Sequence, residues 1–176
     1  IRLEWLLRAV PDIETVYAPY NPADNSATLT LALIQEAAAE LDVTIIAPEV
    51  YSEEDVLLSI TEIPEQVDAI FLLPDVLVTT LSERWNEIAL EKNLPMTAAA
   101  SPPRETGELL AYGFTTTQAG EQMGRMLVQV LDGKAPADLP VEPVEFFLGV
   151  NLITAEAIGV ELPEGIIGAA DTVIDQ

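Results

Sequence analysis

The sequence predicts an α/β fold in which a parallel sheet carries helices on both faces. Two observations carry that expectation. Apolar runs centred near residues 16, 45, 70 and 97 recur at about 27 residues, enough for a strand, a helix and a return. The stretches between them place apolar residues at helical spacing. Parallel neighbours need crossovers of that length, and helices supply them.

Thr15-Val16-Tyr17-Ala18 is the first predicted strand. A helix follows over Ser26 to Leu41, with Leu29, Leu33, Ala37 and Leu41 on one stripe and Asn25 or Ser26 as its N-cap. Val43 to Ala47 is the second strand. Ser52-Glu53-Glu54-Asp55 opens a helix through Ile60, its acids in the first turn, where the helix dipole favours them. Val67 to Leu73 is the third strand, stopped by Pro74. Thr80 to Glu91 is a helix with Leu81, Trp85 and Ile88 toward its buried edge. Met96 to Ala99 and Leu109 to Tyr112 are the fourth and fifth strands. The rhythm then changes. Thr117 to Leu131 reads as one long helix with Met123, Leu127, Val130 and Leu131 on its apolar face. Ala135 to Pro143 is Pro-rich and extended, Val144 to Val150 is a strand, and Leu152 to Ile158 is a short helix that Gly159 stops.

A length of 176 residues, 49% hydrophobic, suits one domain with a real core. Thirty acids face seven bases, a formal charge of −23. Such a surface repels nucleic acid and anionic membranes, since phosphate binding needs clustered Lys and Arg. With no Cys there is no disulfide, thiolate chemistry or sulfur-ligated metal. With no His, the commonest general base and metal ligand is missing. No apolar run reaches the roughly 18 residues of a membrane span. The first residue is Ile rather than Met, which reads as a processed or excised piece.

Enzyme readings find little support. A Ser nucleophile lacks a His base. A receiver-type phospho-acceptor would share the alternating pattern with Asp75 as acceptor, but Ala18-Pro19-Tyr20-Asn21 replaces the acid pair it needs. No glycine-rich phosphate loop is present. The chain is expected to be non-catalytic, without cofactor or metal.

Residues 113–174 hold three pieces in order. Gly113-Phe114 leads a long helix ending in Leu131-Asp132-Gly133-Lys134. Pro136-Ala137-Asp138-Leu139-Pro140-Val141-Glu142 comes next. Val150-Asn151-Leu152 then runs into Ala157-Ile158-Gly159-Val160 and Leu162-Pro163-Glu164. Upstream, Tyr20-Asn21-Pro22-Ala23-Asp24-Asn25-Ser26 follows an apolar strand. Together these resemble the substrate-binding proteins of ABC transporters, of the periplasmic-binding-protein type I-like kind, and most closely the aromatic amino acid subfamily. The resemblance covers nearly the whole chain but only about half of such a protein. It implies that residues 1–112 form a C-terminal-type lobe. Residues 113–143 would be a crossover helix and linker belonging to the other lobe, and residues 144–176 a returning strand and tail.

The resemblance implies a non-catalytic, extracytoplasmic solute-binding component. Two lobes would close on a small molecule such as an amino acid, and the closed form would dock on an ABC permease. The alternative is a ligand-sensing or interaction domain of a larger receptor that keeps the fold without binding an amino acid. Open parallel sheets bind at the carboxyl ends of their strands, so the expected ligand residues are Tyr20, Asn21, Asn25, Ser26, Asp75, Ser101 and Thr115. The plain alternative at each is turn or cap chemistry. For Thr115 to Thr117 that alternative is helix capping by Thr116 or Thr117. Ala99 and Ala100 stand where relatives carry an acid that would hold an α-ammonium, and Val76 stands where a polar residue is usual. The two alanines favour the receptor alternative, and the Asn21 to Ser26 loop favours the transporter reading. The apolar face of the helix Thr117 to Leu131 has no first lobe to cover. It is expected either to fold back onto its own sheet or, as the preferred outcome, to pair with a second copy as a homodimer through residues 117–131.

Overall fold

The computed structural model describes residues 1–100, 103 and 107–176. Its seven strands form one sheet in the order β2-β1-β3-β4-β5-β6-β7. They are β1 (Thr15–Tyr17), β2 (Thr44–Ile46), β3 (Ala69–Phe71), β4 (Met96–Ala100), β5 (Leu110–Phe114), β6 (Phe147–Asn151) and β7 (Thr172–Ile174). The first five strands run parallel, as their spacing predicts, with Val16 opposite Ile45 and Ala69. The sheet is mostly rather than wholly parallel. β6 returns antiparallel to β5, pairing Ala111 with Gly149, and β7 then runs parallel to β6.

The helices are α1 (Arg2–Ala9), α2 (Asn25–Glu40), α3 (Glu53–Thr61), α4 (Val76–Thr79), α5 (Ser82–Glu91), α6 (Thr116–Leu131), α7 (Leu152–Ala157) and α8 (Glu164–Ile167). Strand alternation divides the core in two. Val16, Ala69, Phe71, Leu110 and Leu148 face α1 and α2 together with Leu3, Leu6, Leu31 and Ile34. Tyr17, Ile70, Leu72, Met96 and Ala98 face the other way, onto Val56, Ile60, Val78 and Trp85 of α3, α4 and α5. Helices therefore cover both faces of the sheet.

Helix α1 is absent from the sequence reading, although Leu3, Leu6 and Ala9 lie buried on one stripe of it. The expected buried stripe of α2 is the wrong one. Leu29 and Leu33 are 65% and 58% exposed, while Ala27, Leu31, Ile34 and Ala38 face the core. This helix is apolar on more than one side, so spacing alone admits two stripes. The single helix expected from Thr80 is preceded by the short α4, which Asp75 starts early by capping it. No residue of α6 is buried. Its fold-back onto the sheet is therefore not observed. Met123, Leu127 and Leu131 stand in solvent, and Val130 is half-buried.

Candidate functional site

β1, β3, β4 and β5 point the same way, so the loops that follow them leave one edge of the sheet. Most of the expected site residues lie on those loops. The loop after β1 closes on the loop after β3 through one bond. The Asn21 backbone N–H donates to Asp75 Oδ2 at 2.6 Å. The other oxygen, Oδ1, accepts the Val78 N–H at 3.2 Å and caps α4. Asp75 is buried and Asn21 half-buried. Asp75 is thus a clamp between two loops, with its carboxylate committed to backbone donors.

The other polar groups here are also committed. Asn21 Oδ1 accepts the Ala23 N–H at 2.9 Å, an Asx turn. Asp24, not Asn25 or Ser26, caps α2, accepting from the Ser26 and Ala27 N–H groups at 2.8 and 3.2 Å. That carboxylate occupies the helix end, whose free N–H groups would otherwise suit an anion. Asn25 and Ser26 sit on the exposed first turn. Thr115 caps α6 in a reciprocal capping box with Gln118. Capping was expected here, though from Thr116 or Thr117. Tyr20 turns its hydroxyl to Glu49 Oε1 at 3.1 Å. Tyr51 donates a second, short hydrogen bond to Glu49 Oε2. Desolvation first and the Glu49 carboxylate second raise the Tyr20 pKa, so the phenol stays neutral. Ser101 lies outside the described residues.

Beside this edge, on the α1 and α2 face, a hollow of about 400 Å³ opens. It falls within the size range of small-ligand sites. Pro74 and Ala99, at the ends of β3 and β4, form its rim, and Phe71, Tyr112, Phe114 and Phe146 form aromatic walls. Tyr112 stacks on Phe146 at 5.6 Å between centroids, and Phe114 meets Phe146 edge-on at 5.9 Å. Arg2 also lines the hollow. Its Nη2 donates to the Leu72 carbonyl at 3.0 Å, and its guanidinium lies 3.9 Å over the Phe71 ring. Nη1 is buried and has no acceptor among the described residues. Burial pulls the Arg2 pKa down to about 9, which still leaves it cationic at neutral pH. Arg2 is not among the expected site residues, because α1 is not among the expected helices. The signal was available in an arginine immediately before a Leu3, Leu6, Ala9 stripe.

Among the described residues no cluster of acids has metal-binding geometry, and no helix is long and apolar enough to cross a membrane.

A mostly parallel sheet with helices on both faces defines a Rossmann-like α/β fold. The chain belongs to the ABC transporter substrate-binding protein family, whose pattern matches residues 2–174. Similar solved structures include a conserved domain protein from Vibrio cholerae, 26% identical with a TM-score of 0.85, covering 97% of this chain and 58% of that one. Another is an ABC domain from Streptococcus pneumonia in complex with L-Trp, 24% identical with a TM-score of 0.86, covering 98% and 59%. A tyrosine-binding protein of Clostridioides difficile is 19% identical over 143 residues, 81% of this chain and 41% of its own length. The chain thus spans about half the length of the relatives it matches.

Proposed function

We propose that this chain is the C-terminal-type lobe of a solute-binding component of an ABC importer, working outside the cytoplasm without catalysis. A small molecule of the amino acid class would bind at the carboxyl edge, between this lobe and a second one, and the closed form would dock on a permease. The observation that carries the reading is the Asn21 to Asp75 bond, which locks two loops into one wall of an edge site. A fixed wall lowers the ordering cost of binding. The family and the names of two relatives support the ligand class. On this reading α6 and the linker to residue 143 belong with the other lobe. In the isolated chain, its exposed leucines pair with a second copy.

One observation favours the receptor alternative. Asp24, Asp75 and Thr115 spend their side-chain acceptors on backbone N–H groups, which leaves few free polar groups for an amino acid.

A thermal-shift screen of the protein against amino acids and other metabolites tests the proposal, because binding to the native state raises the melting temperature. A hit whose shift disappears in Ser26→Trp, an exposed position on the edge, is the expected result. A hit indifferent to Ser26→Trp, or no hit from the full-length protein, overturns it.

A further inference from the structure

We propose that the groove between α1 and α2 receives helix α6 of a second copy of this chain, and that two copies exchange these helices in one symmetric dimer. The proposal rests on the reading that the leucines of α6 pair with a second copy, and it names the surface they enter.

Helix α6 supplies the insert. Met123, Leu127 and Leu131 recur every four residues, and each is more than half exposed. Gly120 and Gly124 lie toward the same exposed side, with open space where a Cβ would stand. A partner surface can therefore come close to the helix backbone.

The groove supplies the seat. Two hollows of about 400 and 390 Å³ meet at Ile1. Leu33 and Ala37 line the first, and Leu41 lines the second with Trp5 and Leu7. Leu33, Ala37 and Leu41 repeat at the four-residue spacing of the α6 row. Both rows are thus about 12 Å long at the helical rise, and anchors at such spacing are how an amphipathic helix fills a groove.

Charge selects the occupant. At −23, two copies repel over most of their surfaces. Helix α6 holds one acid, Glu121, and one base, Arg125. The groove lining holds Glu4 against Arg2 and Arg8. Three of the seven bases therefore stand on these two apolar faces, which makes them the places where like-charged copies can meet. Glu36 and Glu40, on the exposed side of α2, give the groove a rim suited to Arg125. The faces are also neighbours, since Phe114, just before the Thr115 cap of α6, lines the first hollow. Reciprocal exchange across a two-fold axis closes the assembly at two copies.

Light scattering of the 176-residue chain at micromolar concentration and physiological salt tests the exchange by complementation. The parent chain is expected to be a dimer. Leu127→Glu spoils the insert and Leu33→Arg spoils the seat, so each variant alone should be a monomer. Mixed in equal amounts, they should recover a dimer. The intact α6 of the Leu33→Arg chain then enters the intact groove of the Leu127→Glu chain, and the introduced charges attract at the second contact. Leu33 and Leu127 are both exposed, so unchanged circular dichroism should show both variants folded. Leu58→Glu, at an exposed position of α3 on the other face of the sheet, adds the same charge as Leu127→Glu and should stay dimeric. A dimer that survives Leu33→Arg means that α6 pairs with α6, which overturns this seat but not the pairing of copies. A folded mixture that stays monomeric overturns the exchange, and so does loss of the dimer in Leu58→Glu. A monomeric parent chain overturns both the seat and the pairing, and leaves these faces to a second lobe.

Discussion

Helices α2 and α6 are each 16 residues long, and each is capped at its start by its own side chain. Both carry leucines at helical spacing. Yet α2 buries Ala27, Leu31, Ile34 and Ala38, while α6 buries nothing. Helix α2 connects two parallel neighbours, β1 and β2, and must lie along the sheet between them. Helix α6 follows β5 and leads, through a Pro-rich stretch, to β6, which pairs antiparallel beside β5. An antiparallel neighbour needs no crossover helix. Nothing in the sheet therefore demands that α6 pack on it. The contrast teaches that amphipathicity shows that a helix has a partner without showing which partner. Where connectivity requires the crossover, the partner is the chain's own sheet.

The sharpest way to break that contrast is to truncate one leucine in each helix. Leu31→Ala in α2 removes a buried side chain and should cost about 2–5 kcal/mol of unfolding free energy. Leu127→Ala in α6, at 57% exposure, should stay within about 0.5 kcal/mol for the monomer. Urea titration at low micromolar concentration reads both. Similar losses would mean that α6 has a partner within its own chain. Light scattering extends the test. If a second copy covers α6, Leu127→Glu converts a dimer to a monomer of 19.0 kDa. A parent chain that is monomeric at the same concentration removes the dimer.

The loop clamp comes next in size. Asp75→Ala strips the acceptor from the Asn21 and Val78 N–H groups. Each donor left bare costs about 1–3 kcal/mol. Thermal melts should show the loss, with Asp75→Asn, which keeps an acceptor oxygen, falling between.

The caps sharpen the comparison at a smaller scale. Asp24→Ala should lower global stability by about 1 kcal/mol, because α2 is part of the core. Thr115→Ala removes an equivalent cap from a helix that buries none of its residues. It should leave the melting midpoint unchanged and speed amide exchange in the first turn of α6.

The smallest effect is electrostatic. The backbone N–H of Tyr51 and, less strongly, the Ser52 hydroxyl hold the exposed Asp55 carboxyl below its ordinary pKa. A depressed acid contributes stability that is present above its unfolded pKa and lost as pH falls through the folded one. Asp55→Asn should therefore match the parent chain at low pH and be slightly less stable at pH 7, as seen in chemical denaturation at both values.

Much of this fold is legible in the sequence because parallel strands buried on both faces must be continuous apolar runs. Ala69 to Leu73 is such a run, and all five residues are buried. The helices are less legible in detail. Thr28 to Ala39 offers apolar residues around most of its circumference, so the wrong stripe of α2 fits the period as well as the right one. Ser52 was readable as a helix start, because three acids follow it in the first turn. Asp24 was not, because Asn25 and Ser26 beside it are equally good caps by type. The sequence places Asp75 on a loop at the carboxyl edge, where the structure has it. It could not show that Asp75 is spent on the Asn21 backbone, a partner 54 positions away. The Arg2 hollow was invisible for a related reason, since its walls come from β3, β5 and the segment before β6.

The most direct test of the edge site is a backbone amide titration by NMR with L-tryptophan up to millimolar concentration. On the proposed reading a second lobe supplies the other wall, so weak binding to this chain is expected. Saturable shifts should gather at Asn21 to Ala27, Asp75 to Val78 and Phe114 to Thr116. Shifts gathered instead at the opposite edge, around Ile13, Val43 and Asp68 where the strands begin, would contradict it.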